Sequence, residues 1–143
     1  MKNILKIIPV LLLFCACHQE LDLAQINGYW EIEKVIQPDG KEVDFKINMN
    51  YDYFEIGKDN KGFRKKVTPQ LDGTFLTDDT KEDLQLIKEG DKVLINYTSP
   101  YSKWTEELIA LSDSELVVRN AEKKEYHYKR ANPINITNGE TEK

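Results

Sequence analysis

No cysteine follows residue 17 in this 143-residue chain. The two present, Cys15 and Cys17, sit together near the start, so no disulfide can staple what comes after them. A folded unit built from the rest must rely on its own apolar core. Histidine is nearly missing too, with only His18 and His127. One histidine makes no zinc site without partners, and no metal-ligand spacing surrounds His127. Strand alternation sets it opposite Tyr126 and Tyr128, on the solvent face. Long apolar runs are also lacking. The first, 7–16, covers ten residues, too few to span a bilayer as a helix. Helical periodicity is scarce, and the one helix candidate is a turn in the acid-rich segment 79–83. Basic residues are in deficit, 20 Lys and Arg against 25 Asp and Glu. A chain without a basic face has little to offer nucleic-acid phosphates, so nucleic acid is excluded as a partner.

The start of the chain carries the clearest signal. Lys2 and Lys6 precede the apolar run, which ends in Phe14-Cys15-Ala16-Cys17. A charged start, a short apolar stretch and a small residue before a cut are the parts of a secretory signal peptide. A cysteine directly after that small residue resembles the lipobox of bacterial lipoproteins. That resemblance implies a diacylglycerol on the Cys17 thiol and cleavage before it. The alternative is an ordinary signal peptide cut elsewhere. Acyl chains add about 0.8 kcal/mol of membrane affinity per buried methylene, so two or three would anchor the protein stably. Loss of residues 1–16 leaves 127 residues and removes Lys2 and Lys6 but no acid, taking the net charge from −5 to −7. His18 rather than Asp follows Cys17, which by that resemblance leans toward the outer membrane. Glu20 and Asp22 continue a polar tether, 17–25, and faintly resemble the acidic export tag of surface lipoproteins.

Beyond the tether, apolar and polar residues alternate with period two. Strands are expected at 28–36, 51–56, 63–68, 74–77, 83–88, 93–97, 103–111, 115–120 and 123–130. In the first, Trp30, Ile32 and Ile36 should share one face, with Glu31 and Glu33 on the other. In the strand at 83–88, Leu84 and Leu86 should share a face. Pro38-Asp39-Gly40, Asp59-Asn60-Lys61-Gly62, Asp72-Gly73 and Glu89-Gly90-Asp91 are turn signals between them. Eight or nine short strands joined by short turns describe an all-β, antiparallel barrel or sandwich. The segment 132–143 has almost nothing to bury and is expected to be a disordered tail.

The first strand opens with Gly28-Tyr29-Trp30 and the last ends in Tyr128-Lys129-Arg130. This pairing resembles the lipocalins, and the whole plan is similar to the small lipocalin-like lipoproteins of diderm bacteria. The resemblance implies one lipocalin-like barrel over 26–131. It also implies structural, barrel-closing roles for Gly28, Trp30 and Arg130, with the Arg laid over the Trp. The family's disulfide is absent, and no helix follows the last strand.

No catalytic group stands out. Ser99, Ser102, Ser112 and Ser114 lack a base or a nucleophile elbow. Asp78, Asp79, Glu82 and Asp83 match no calcium loop; they read as a solvated acidic segment more readily than as a weak calcium site. No metal or cofactor is called for, and an enzyme is not expected. Tyr51, Tyr53, Phe63, Trp104, Tyr126 and Tyr128 fall in strand positions and are the candidate ligand-cavity residues. An eight-stranded barrel is wide enough to be filled by side chains or to hold one small ligand. Two readings stay open. In one, a lipid-anchored envelope protein binds a small, partly apolar ligand. In the other, the domain is a protein-interaction module, an assembly factor, inhibitor or immunity protein, with a filled core.

Overall fold

The computed structural model describes residues 21–132. The signal segment 1–16, Cys17 and the tail beyond Asn132 lie outside the described residues. The chain enters through a short 3-10 turn, Leu23–Ile26. Ten strands follow: β1 Gly28–Ile36, β2 Glu42–Asp44, β3 Tyr51–Ile56, β4 Lys61–Pro69, β5 Phe75–Thr77, β6 Glu82–Glu89, β7 Lys92–Thr98, β8 Lys103–Leu111, β9 Glu115–Arg119 and β10 Glu125–Arg130. All pairings are antiparallel, and β10 returns to pair with β1. Eight strands therefore close a barrel, with β2 and β5 as extra strands on β1 and β4. Closure removes the free edges that an open sheet would expose.

Alternation builds the core. On β7, buried Val93, Ile95 and Tyr97 alternate with the more exposed Lys92, Leu94, Asn96 and Thr98. Their inward side chains meet Trp30, Phe54, Leu84, Leu86, Leu108, Leu116 and Val118 in one continuous cluster. Replacing a buried Leu in such a core by Ala costs about 2–5 kcal/mol. Tight turns set the registers. Gly90 takes φ +60° in the β6–β7 hairpin, a conformation glycine enters without steric cost. In the β8–β9 hairpin the Ser112 hydroxyl oxygen accepts from the Ser114 and Glu115 amides. Ser99 does the same for Tyr101 and Ser102, so two of the four serines weighed above are turn caps.

The structure departs from strict alternation in informative places. In β1 a bulge lies between Ile32 and Lys34 in the pairing with β10. Trp30 and Ile32 face inward, but the extra residue shifts the parity. Val35, opposite Tyr126, takes the inner position expected for Ile36. β2 was not expected, because all three of its residues are exposed and no buried face marks it. The entry turn falls inside the stretch expected to be a polar tether. Asp22 caps it by accepting from the Ala24 amide at 3.1 Å, and Leu21 and Leu23 pack against the core. The segment 79–83 forms no helix. Asp78 Oδ1 accepts from the Thr80 amide at 2.8 Å, and β6 begins at Glu82.

Candidate functional site

One end of the barrel is plugged. Trp30 is 0% exposed, and its indole Nε1 donates to the Ile26 carbonyl at 2.7 Å. The Arg130 guanidinium lies over the ring, 3.9 Å from its centroid. Every arm of that guanidinium is committed: Nε donates to Asp113 O at 2.9 Å, Nη1 to Asn27 O at 2.7 Å and Nη2 to Gln25 O at 2.6 Å. These bonds tie the entry turn, β10 and the β8–β9 hairpin together across the plug. Gly28 is needed for two reasons. Its φ is +114°, and a Cβ there would sit 3.0 Å from Arg130 Nη1. These three residues make a structural closure, with each nitrogen of the guanidinium bonded to a backbone carbonyl.

Register decides which candidate cavity residues look inward. Phe54 belongs to the core, so its neighbours Tyr53 and Glu55 look outward. Tyr53 pairs with Lys65 and Glu55 with Phe63, which puts Phe63 outside as well. Tyr51, two residues from Tyr53, joins the outer cluster with Val67 and Ala131. Tyr51, Tyr53 and Phe63 are therefore wall residues on the outer surface and line no lumen. There Tyr29 stacks on Phe75 at 4.0 Å and touches Tyr53 at 4.7 Å, and Tyr53 meets Phe63 at 6.2 Å. Burial, aided by the bond from its hydroxyl to Glu55 Oε2, pushes the Tyr53 pKa up to about 12. Trp104, Tyr126 and Tyr128 pack against the inner core. His127 lies on the opposite side of β10 from Tyr126 and Tyr128, with Nε2 3.4 Å from Glu125 Oε2.

The lumen also holds charged groups that were not singled out in the sequence. Asp52 is 3% exposed and Glu106 is 9% exposed. Arg64 pairs across the strands with inward Phe54 and points the same way. Its Cζ lies 4.5 Å from the Tyr97 ring centroid, 5.9 Å from that of Trp104 and 6.0 Å from that of Phe54. Its Nε donates to Glu82 Oε2 at 2.6 Å. Burial pulls the Arg64 pKa down, but Tyr97, Glu82 and Asp52 outweigh it, so the group stays charged. Lys66 Nζ lies 2.6 Å from Asp52 Oδ1. Burial raises the pKa of Glu106 against the opposing pull of Arg64 and Tyr97, and raises those of Tyr97 and Tyr128. The Tyr97 hydroxyl and Glu106 Oε2 are buried with no hydrogen-bond partner beyond each other.

A readable signal for this cluster did exist. Asp52 stands two residues before Phe54 on β3 and Glu106 two before Leu108 on β8, so each is a charge on an apolar face. Toward one side the inner face opens. Val43, opposite Val35, and Leu76, opposite Thr68, are exposed, as is Lys66. The inner face reaches solvent at these positions, which mark the mouth of the barrel. A cleft of about 140 Å³ also reaches Arg64 and Glu82 from outside, lined by Lys66, Asp78, Thr80 and Lys81. The acidic residues of that segment are dispersed: Glu82 holds Arg64, Asp83 holds Lys81 and Asp78 caps its own bend. Among the described residues, no group of three or more His, Cys, Asp or Glu is placed to hold a metal.

An eight-stranded barrel plugged at one end by an Arg-covered Trp and open at the other is the architecture of a binding protein. The family model of the lipocalin-like domain matches residues 26–118, and the chain belongs to that family. The fold is similar to the crystal structure of a lipocalin-like protein from Bacteroides uniformis, at 16% identity over 75% of this chain and 99% of that one, with a TM-score of 0.48. It is also similar to an uncharacterized protein from Bacteroides eggerthii, at 13% identity over 73% of this chain and 98% of that one, with a TM-score of 0.46. No curated protein matches the chain.

Proposed function

We propose that this protein is a lipid-anchored binding protein of the bacterial cell envelope. It holds a small, partly apolar ligand in the lumen between the Trp30 plug and the mouth. The observation that carries this reading is the buried polar cluster of Asp52, Arg64, Tyr97 and Glu106. A barrel that only needed to be filled would gain stability from apolar residues at these positions. Burying charges costs several kcal/mol per ion before pairing returns any of it. Perturbed titratable groups in a concave site are the mark of a functional one. Cys17 supplies the anchor, leading to the outer membrane, with the domain in the periplasm or at the surface. Native mass spectrometry of protein purified from the envelope tests the binding role. A small-molecule adduct that Trp104→Ala removes supports it; a bare chain that no envelope fraction stabilises contradicts it.

A second reading has its own support. Ile47 is 90% exposed and Met49 78% exposed, and Leu71 is exposed as well. Exposed apolar side chains such as these, and the outer aromatic cluster, are features suited to a protein partner. Crosslinking from a photoreactive residue at position 47 would capture such a partner, and Trp104→Ala would leave that capture unchanged.

A further inference from the structure

The lumen charges resolve into two pairs and a remainder. Arg64 is taken by Glu82 at 2.6 Å, and Lys66 by Asp52 at 2.6 Å. Glu106 has no ion pair among the described residues, and its Oε2 has no hydrogen-bond partner beyond Tyr97. The Tyr97 hydroxyl, on a residue 1% exposed, has no partner other than Glu106. The two are near neighbours. Tyr97 of β7 pairs with Trp104 of β8 and Ile95 with Glu106, so Glu106 lies diagonally across from Tyr97 on the same inner face. Trp104 stacks on Tyr97 with ring centroids 5.0 Å apart and planes 13° apart. It is only partly buried, so the aromatic wall above the pair is accessible.

This arrangement selects by charge and by hydrogen-bond sense. Three carboxylates, Asp52, Glu82 and Glu106, stand against two cations that are already committed. An anionic ligand would meet the surplus negative charge. A ligand without a polar head would leave the Glu106 carboxylate with the Tyr97 hydroxyl as its one close partner and no counter-ion of its own in a low-dielectric interior, which is the costly outcome. A cationic N–H donor matches the Glu106 carboxylate and the lone pair of the Tyr97 hydroxyl, beside the partly exposed Trp104 ring.

We propose that Glu106 and Tyr97 form the head-group site for a protonated primary amine carried on a small aromatic or apolar body. The inference rests on the reading of the lumen as the ligand site and adds the class of ligand.

The test uses three probes of similar shape on the full chain: 2-phenylethylamine, 2-phenylethanol and 3-phenylpropanoate. Binding is followed by tryptophan fluorescence, with Trp104→Phe identifying the responding indole. The amine should bind about tenfold or more tightly than the alcohol and the carboxylate, because a site built around a donor rejects analogues that lack it. Glu106→Gln should abolish that preference, and Tyr97→Phe should reduce it several-fold. Equal binding of all three probes, or preference for the carboxylate, overturns the head-group assignment and leaves the lumen reading standing. If none of the probes moves the Trp104 signal but an envelope extract does, the amine class is again wrong and the lumen reading holds. If neither does, both fall. The probe series on the unaltered protein decides the matter even where a variant fails to fold.

Discussion

Replacing Trp30 by Ala should cost about 3–5 kcal/mol of folding stability, the range for deleting a large buried aromatic. Three features of the structure place it toward the upper part of that range. The indole is 0% exposed, so its whole surface returns to water on unfolding. Its Nε1–H bond to Ile26 O is lost, and the entry turn loses a tie. The Arg130 guanidinium, 3.9 Å above the ring, loses the face that it covers. A domain of this size has about 5–15 kcal/mol in total, so the variant should remain folded but unfold at a much lower urea concentration. Equilibrium unfolding followed by circular dichroism measures the difference. Trp30→Phe keeps most of the buried area and loses the N–H, so it should cost about 1–2 kcal/mol. A double-mutant cycle with Arg130→Ala should return a coupling of about 0.5–2 kcal/mol, the worth of a cation over an aromatic face. An unfolding midpoint for Trp30→Ala equal to that of the parent would refute the closure role.

Three further outcomes follow from the same residues. Gly28→Ala should destabilise by about 1–3 kcal/mol, because an L side chain is strained at φ +114° and its methyl would press on Arg130 Nη1; an unchanged midpoint would contradict this. The proposed lipid on Cys17 predicts that Cys17→Ser moves the protein from the membrane fraction to the soluble fraction; retention in the membrane would contradict the proposal. Glu106 titrates above its ordinary value because burial disfavours the charged form, so its contribution to stability is present below about pH 4.5 and is lost as pH rises through its raised pKa. Glu106→Gln should therefore gain stability relative to the parent across that window, as followed by urea unfolding at several pH values, and a difference that does not change with pH would sink the assignment.

Much of the barrel could be read directly because its strands obey the period-two rule. β1, β3 and β8 run where alternation placed them, since each carries a buried face that the sequence displays. What was hidden had physical causes. β2 buries nothing, so nothing in its sequence marks it as a strand. The β1 bulge spends one residue on curvature and so exchanges Ile36 for Val35 on the inner face. Tyr51, Tyr53 and Phe63 are as apolar as any core residue, but Phe54 holds the inner position on β3, and apolarity alone cannot say which side of a closed sheet is the inside. The polar cluster has the opposite history. Arg64 and Glu106 look like surface residues by type; the parity of Glu106 with Leu108 reveals one, and only the pairing of Arg64 with Phe54 across β3 and β4 reveals the other. Pairing Arg64 with Glu82 and stacking it on Tyr97 needs the register of three strands, which no local pattern carries.

The most direct test of the binding account compares the two tryptophans as built-in reporters. Trp30 sits in the plug and Trp104 beside Glu106 and Tyr97. Indole N–H resonances of the 15N-labelled protein would be followed during titration with envelope extract. The account predicts that the Trp104 signal shifts saturably while the Trp30 signal stays in place. Shifts confined to residues around Ile47, Met49 and the outer aromatics, with Trp104 unmoved, would contradict it and give the function to the surface instead of the lumen.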